Sequence, residues 1–398
     1  MKLSNRVQEV PFSATRVLGP YAEEAKKKGK KVYHLNIGAP DTNVPQEFFD
    51  AISSIKMRSL PYAPSKGIDS LRQGISKYYK DKNVDIDEDE IVITNGASEA
   101  ILYAIISITD LGDNILTSNP FYTNYLTAFR ELGITPNVFE TSVTNGYKLP
   151  PYEEIVKNID ENTKGILLSN PSNPTGVVYT KEEVELIAKI AVEYDLFIMA
   201  DEVYREFVFD DLEFYSFGEV EGIKDRLIIL DSVSKRFGAC GARIGSISTK
   251  NKDLVKEFLK LAASRLAVST VDQIGAAALY EVNDKYFQEI NAEYDLRRNT
   301  IIEELNKIEG IEVYKPQGAF YVMPKLPVED AEDFAKWMLT DFDVDGETVM
   351  VAPGGGFFYG KDYKNYIRLA YVINVEDLKK AINILKMGLE EYIRIKSK

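Results

Sequence analysis

Between about residues 90 and 250, short apolar runs alternate with helix-like stretches, and this alternation restricts the fold more than any other feature of the chain. Ile91–Thr94, Asn114–Ser118, Gly165–Ser169, Leu196–Ala200 and Leu227–Leu230 have the length of strands. Glu99–Ile108 and Glu182–Val192, which lie between them, have the length and pattern of helices. Strands joined by helical crossovers pair in parallel, so the region predicts an α/β architecture, a largely parallel sheet sandwiched by helices.

The texture changes after about residue 285. A charged helix is expected over Tyr286–Ile308, followed by strand-like pieces at Ile311–Tyr314, Ala319–Met323 and Tyr366–Tyr371. Val375, Leu378, Ile382, Leu385 and Leu389 then form one helical stripe. The first 45 residues, with prolines at 11, 20, 40 and 45, read as an irregular arm. The expected division is an arm (1–45) packing with the small domain, a large domain (46–285) and a smaller α+β domain (286–398).

Composition removes several classes of function. The 62 acidic residues against 48 basic ones give a net charge of −14, which argues against nucleic acid or an anionic membrane as partner. Ile101–Ile108 is among the longest apolar runs, far short of the ~18 positions of a membrane span. Pro11, Pro20 and scattered charges leave no apolar core for a signal peptide, and Cys240, the single cysteine, has no partner in the chain. A cytoplasmic location is expected. His34 is the only histidine, so no multi-histidine metal site is expected and a Ser–His–Asp triad is disfavoured.

Four segments carry candidate chemistry. In Asp231-Ser-Val-Ser-Lys-Arg-Phe-Gly-Ala-Cys-Gly-Ala-Arg-Ile-Gly245, a lysine follows a strand and two serines, and an arginine stands eight positions later. Lys235 suits a Schiff base, which needs an amine at a fixed place. Ser232, Ser234 and Arg243 suit a phosphate near it, while a solvated Lys-Arg turn is the other reading. Asp201 ends an apolar strand in Met199-Ala-Asp-Glu-Val-Tyr-Arg205, where it suits a ring nitrogen and equally a turn cap. Ser169-Asn-Pro-Ser-Asn-Pro-Thr-Gly176 is a proline-stiffened loop that aims Asn173 at a ligand or merely joins strand to helix. Thr94-Asn-Gly-Ala-Ser-Glu-Ala-Ile101 offers a helix start that favours an anion, though Ser98 is also an ordinary cap.

Taken together and in this order, these segments resemble the class I/II pyridoxal-phosphate aminotransferases of fold type I, over essentially the whole chain. The resemblance implies pyridoxal 5′-phosphate as cofactor, Lys235 as its Schiff-base lysine and proton shuttle, and Asp201 as partner of the pyridinium. It implies that Asn173 and Tyr204 meet the phenolic oxygen, and that Gly96, Ala97, Ser98, Ser232 and Arg243 hold the phosphate. Tyr122, in Asn119-Pro-Phe-Tyr-Thr-Asn-Tyr125, matches the tyrosine stacked on the ring, although a core tyrosine is the plain alternative. Arg368, in Tyr366-Ile-Arg-Leu-Ala-Tyr371, matches the arginine that grips the substrate carboxylate, with a structural salt bridge as the alternative. Gly38 matches the loop over the substrate, which Asn173 also borders. Tyr62 matches a residue that reaches the neighbouring protomer's phosphate, implying a homodimer. The glycine cluster Pro353–Gly360 fits no phosphate-loop pattern and matches a family turn.

The resemblance therefore implies a transaminase with amino acid and 2-oxo acid substrates taken in turn, and Lys235, Asp201 and Tyr204 as the catalytic set. The texture is most like aspartate aminotransferases, with aspartate as donor and 2-oxoglutarate as acceptor. One branch of them carries a lysine where Ser98 stands, and that contact to a distal carboxylate is absent. An aromatic or kynurenine-type aminotransferase and a pyridoxal-phosphate C–S lyase are the alternatives. A cofactor-sensing transcription regulator is disfavoured, because such proteins place a basic DNA-binding module ahead of this fold.

Overall fold

The computed structural model describes residues 1–361 and 363–396. Twelve strands alternate with helices: β1 (Lys31–His34), β2 (Ile91–Thr94), β3 (Asn114–Asn119), β4 (Thr135–Glu140), β5 (Thr163–Ser169), β6 (Phe197–Asp201), β7 (Leu227–Ser232), β8 (Gly245–Ser248), β9 (Tyr321–Val322), β10 (Glu347–Met350), β11 (Ala352–Pro353) and β12 (Ile367–Ala370). Seven of them form the central sheet in the order β2-β8-β7-β6-β5-β3-β4. All its pairs are parallel except the two made by β8, which runs against β2 and β7.

Helices cover both faces, which is why these strands read as continuous apolar runs and not as alternating ones. Ile93, Leu168, Ile198 and Ile229 pack into one core, while their neighbours Val92, Leu167, Met199 and Ile228 pack into the other. Helix Lys181–Glu193 starts where Thr180 accepts from the Glu183 amide and Glu183 accepts from the Thr180 amide, a reciprocal cap. A third core gathers Leu18, Tyr33 and Leu35 with Ile290, Phe334, Leu369 and Leu385. Within it, helices Asp284–Leu305 and Val375–Lys396 pack together near the small sheet β11-β12-β9.

Several details depart from the sequence reading. The first 45 residues are not irregular throughout: Gly19–Lys27 is a helix, and β1 pairs in parallel with β10, register Lys31↔Glu347. That pairing joins segments more than three hundred residues apart, which local pattern cannot reveal. Ile311–Tyr314 forms only a single bridge, Glu312↔Lys325, and Ala319–Met323 contributes only β9. The charged helix ends at Leu305, three residues early. Among the described residues no helix is long and apolar enough to cross a membrane, and no group of three acidic, histidine or cysteine side chains could hold a metal ion.

Candidate active site

The four motif segments meet at one edge of the central sheet because of strand direction. β6 ends in Asp201, β7 ends in Ser232, and the Asn170–Gly176 loop leaves the end of β5. β8 runs the other way, so it begins at this same edge. Its register, Gly245 opposite both Thr94 and Ser232, sets Arg243 beside the start of helix Gly96–Ile108. Arg243 holds a left-handed backbone, φ 54°, uncommon for a residue with a side chain. Gly96, at φ +72°, clears the space it needs: a Cβ there would lie 2.2 Å from Arg243 Nη2.

A cavity of about 490 Å³ opens between this edge and the segments carrying Gly38 and Arg368. Ala97, Ser98, Tyr122, Asn173, Asp201, Tyr204, Ser232, Lys235 and Arg243 line it, as do Gly38 and Arg368. Ser234 lines it too. Gly96 stays behind Arg243, outside the lining. Tyr62 does not reach the cavity of its own chain and stands 79% exposed.

Asp201 is 4% exposed, and burial, with the charge of Asp231 adding to it, pushes its carboxyl pKa up to about 6. The Tyr125 hydroxyl donates to its Oδ2 at 2.6 Å and favours the ionised form. Lys235 Nζ is half-buried and donates to the Gly38 carbonyl at 2.6 Å. Tyr204 and Tyr321 share a hydrogen bond of 2.8 Å between their hydroxyls. Burial, and then the neighbouring Tyr321, raise the Tyr204 phenol well above its ordinary pKa, so it stays protonated.

Arg368 is 2% exposed, and no carboxylate pairs with it among the described residues. Nη1 donates to Asn173 Oδ1 at 2.9 Å, Nη2 donates to the Asn36 carbonyl at 2.7 Å, and Nε has no partner. The guanidinium lies over the rings of Tyr321 and Phe357, 4.3 and 4.8 Å from their centres. A buried cation with only neutral neighbours is costly, and an anionic ligand removes the cost. Among the described residues no structural salt bridge accounts for Arg368.

The donor set fits pyridoxal phosphate. Helix-start amides, Ser232 and the Arg243 fork suit a dianionic phosphate, and Gly96 keeps that cradle open. A buried carboxylate suits a protonated ring nitrogen, and Lys235 is the one lysine in the cavity lining. The sequence reading passed over Tyr125, Tyr321 and Asn36, which hold Asp201, Tyr204 and Arg368 respectively. Tyr125 lay inside a quoted segment. Tyr321 and Asn36 act across more than a hundred residues and carry no local signal.

A family model described as aminotransferase class I and II matches residues 30–385. An aspartate aminotransferase of Bacillus subtilis is 30% identical, over 98% of this chain and all of its own. A (5-formylfuran-3-yl)methyl phosphate transaminase of Methanocaldococcus jannaschii is 34% identical, over 93% of this chain and 95% of its own. Among solved structures, an alanine aminotransferase from Pyrococcus furiosus superposes with a TM-score of 0.89 at 32% identity, over 98% of this chain and all of its own.

Proposed function

Because the chain belongs to the class I and II aminotransferases, transaminases that depend on pyridoxal phosphate, we propose that it moves the amino group of aspartate to 2-oxoglutarate. When bound, the cofactor supplies a carbonyl carbon that receives the amino group and a ring that draws electron density from the substrate.

The chain's own residues account for the rest. Lys235 Nζ would hold the cofactor, and once freed by the substrate it would take the proton from the substrate Cα and give it up to the carbon that accepts the amino group. Asp201, ionised, keeps the ring nitrogen protonated. Tyr204 and Asn173 would donate to the phenolic oxygen, Tyr122 would pack on the ring, and the Gly96–Ser98 turn, Ser232 and Arg243 would hold the phosphate. Arg368 binds the α-carboxylate of donor and acceptor alike, so the two acids use the site in turn. Gly38 lies over the substrate, with its carbonyl on Lys235 Nζ.

We also read residues 1–45 as an arm, 46–285 as the large domain and 286–398 as the small domain. The shared core of Tyr33, Leu369 and Leu385 supports packing of the arm on the small domain. A homodimer is part of the same reading. Its support is Tyr62, exposed beside exposed Met57 and Leu60, residues that a second chain would cover.

The observation that carries the amino acid and 2-oxo acid part of the proposal is Arg368, buried with no carboxylate partner among the described residues in the cavity that holds Lys235. Its test is kcat/KM for aspartate, phenylalanine, kynurenine and alanine with 2-oxoglutarate. Aspartate should lead. Phenylalanine, kynurenine or alanine ahead of it would overturn the acidic donor and leave the transaminase standing.

A further inference from the structure

Among the described residues, the cavity lining contains four cations and one acid. Lys235, Arg243 and Arg368 have roles in the reading above, while Arg16 has none. Its side chain makes no hydrogen bond or ion pair among the described residues, in a chain whose acidic residues outnumber its basic ones by 62 to 48. We propose that Arg16 is a specificity residue that grips the distal carboxylate of a dicarboxylic substrate. The inference rests on the acidic-donor reading and names the residue that enforces it.

The backbone around Arg16 is held in a hydrogen-bonded turn at the cavity wall. The Arg16 amide donates to the Ser13 carbonyl at 2.8 Å, and the Arg16 carbonyl accepts from the Gly19 amide at 2.9 Å. Thr15 and Ser13 share a hydroxyl hydrogen bond of 2.9 Å, and both line the cavity. Buried Asn36 then ties the turn to Arg368. Its Nδ2 donates to the Thr15 carbonyl at 2.7 Å, and its own carbonyl accepts from Arg368 Nη2 at 2.7 Å. One residue therefore anchors both the guanidinium for the α-carboxylate and the turn that bears the unpaired one. Arg16 is exposed at the cavity, so its fork is free to meet an incoming carboxylate.

The test compares wild type with Arg16→Gln as holoenzymes. Two quantities are read: the ratio of kcat/KM for aspartate over alanine, and calorimetric Kd values for succinate and propionate. Charged hydrogen bonds of this kind predict a roughly tenfold to hundredfold fall in the ratio. Succinate should weaken by at least about tenfold relative to propionate, because only succinate has a second carboxylate. A wild-type ratio above one that survives in Arg16→Gln, with the succinate preference intact, overturns the role of Arg16 alone. A wild-type ratio below one overturns the acidic-donor reading, and the succinate comparison still decides whether Arg16 binds a second carboxylate.

Discussion

Asp201→Asn exchanges one buried oxygen for an amide and deletes the charge that the cofactor's ring nitrogen would meet. In the cofactor-free chain the carboxyl is raised from 3.8 to about 6, first by burial. A carboxyl raised on folding binds its proton more tightly in the folded state, so stability from this group is complete below the unfolded pKa. It is lost as pH climbs from about 4 through about 6. At ~1.36 kcal/mol per pKa unit, the loss is complete near pH 8 at ~3 kcal/mol, and is roughly half that at pH 5. The asparagine cannot ionise and keeps an oxygen for the Tyr125 hydroxyl. Without cofactor it should therefore be more stable than wild type, by up to ~3 kcal/mol at pH 8 and about half as much at pH 5. Pyridoxal phosphate should reverse the order, because only the carboxylate pairs with a protonated ring nitrogen, and turnover of the variant should fall at least ~100-fold. Chemical denaturation at both pH values, with and without cofactor, reads all of this. A cofactor-free variant no more stable than wild type at pH 8, or turnover within about threefold of wild type, would refute the reasoning.

Two further substitutions probe the machinery around that ring. Arg368→Lys keeps the charge and loses the fork, so kcat/KM should fall at least ~100-fold for every amino acid donor, measured by steady-state rates; a fall confined to aspartate would move Arg368 to the side-chain end of the site. Asp231→Asn strands Arg236, which Asp231 holds at 2.6 Å with both side chains 1% exposed, and should cost about 3–5 kcal/mol in urea unfolding. A cost under ~1 kcal/mol would mean that this pair does not brace the Lys235 turn.

The parts of the site that the sequence made legible are those whose chemistry is contiguous. Asp201 ends an apolar strand, Lys235 follows another, and Asn173 sits between two prolines, so period and punctuation marked each as a strand-end feature. Arg368 stood out as a charge in an apolar run. Long-range pairing was beyond such reasoning. β8 was missed because Gly-Ser-Ile-Ser holds one apolar residue, yet its reversed direction is what brings Arg243 beside the start of helix Gly96–Ile108. β1 was hidden in a proline-punctuated stretch because its partner lies beyond residue 340. Tyr321 sits in a strand-like run that proved two residues long, and nothing local said that its hydroxyl would meet Tyr204. Ile311–Tyr314 shows the opposite error: an apolar, β-branched run remains a single bridge where no neighbouring strand extends beside it.

Everything in the account turns on Lys235, and the most direct measurement is to trap it. The holoenzyme is reduced with borohydride and digested, and the cofactor-derived mass is mapped to a residue. The label should sit on Lys235 alone, and an amino acid donor added before reduction should abolish it, since the substrate displaces the lysine. A label on another lysine, or none on a protein that still transaminates, would contradict the assignment.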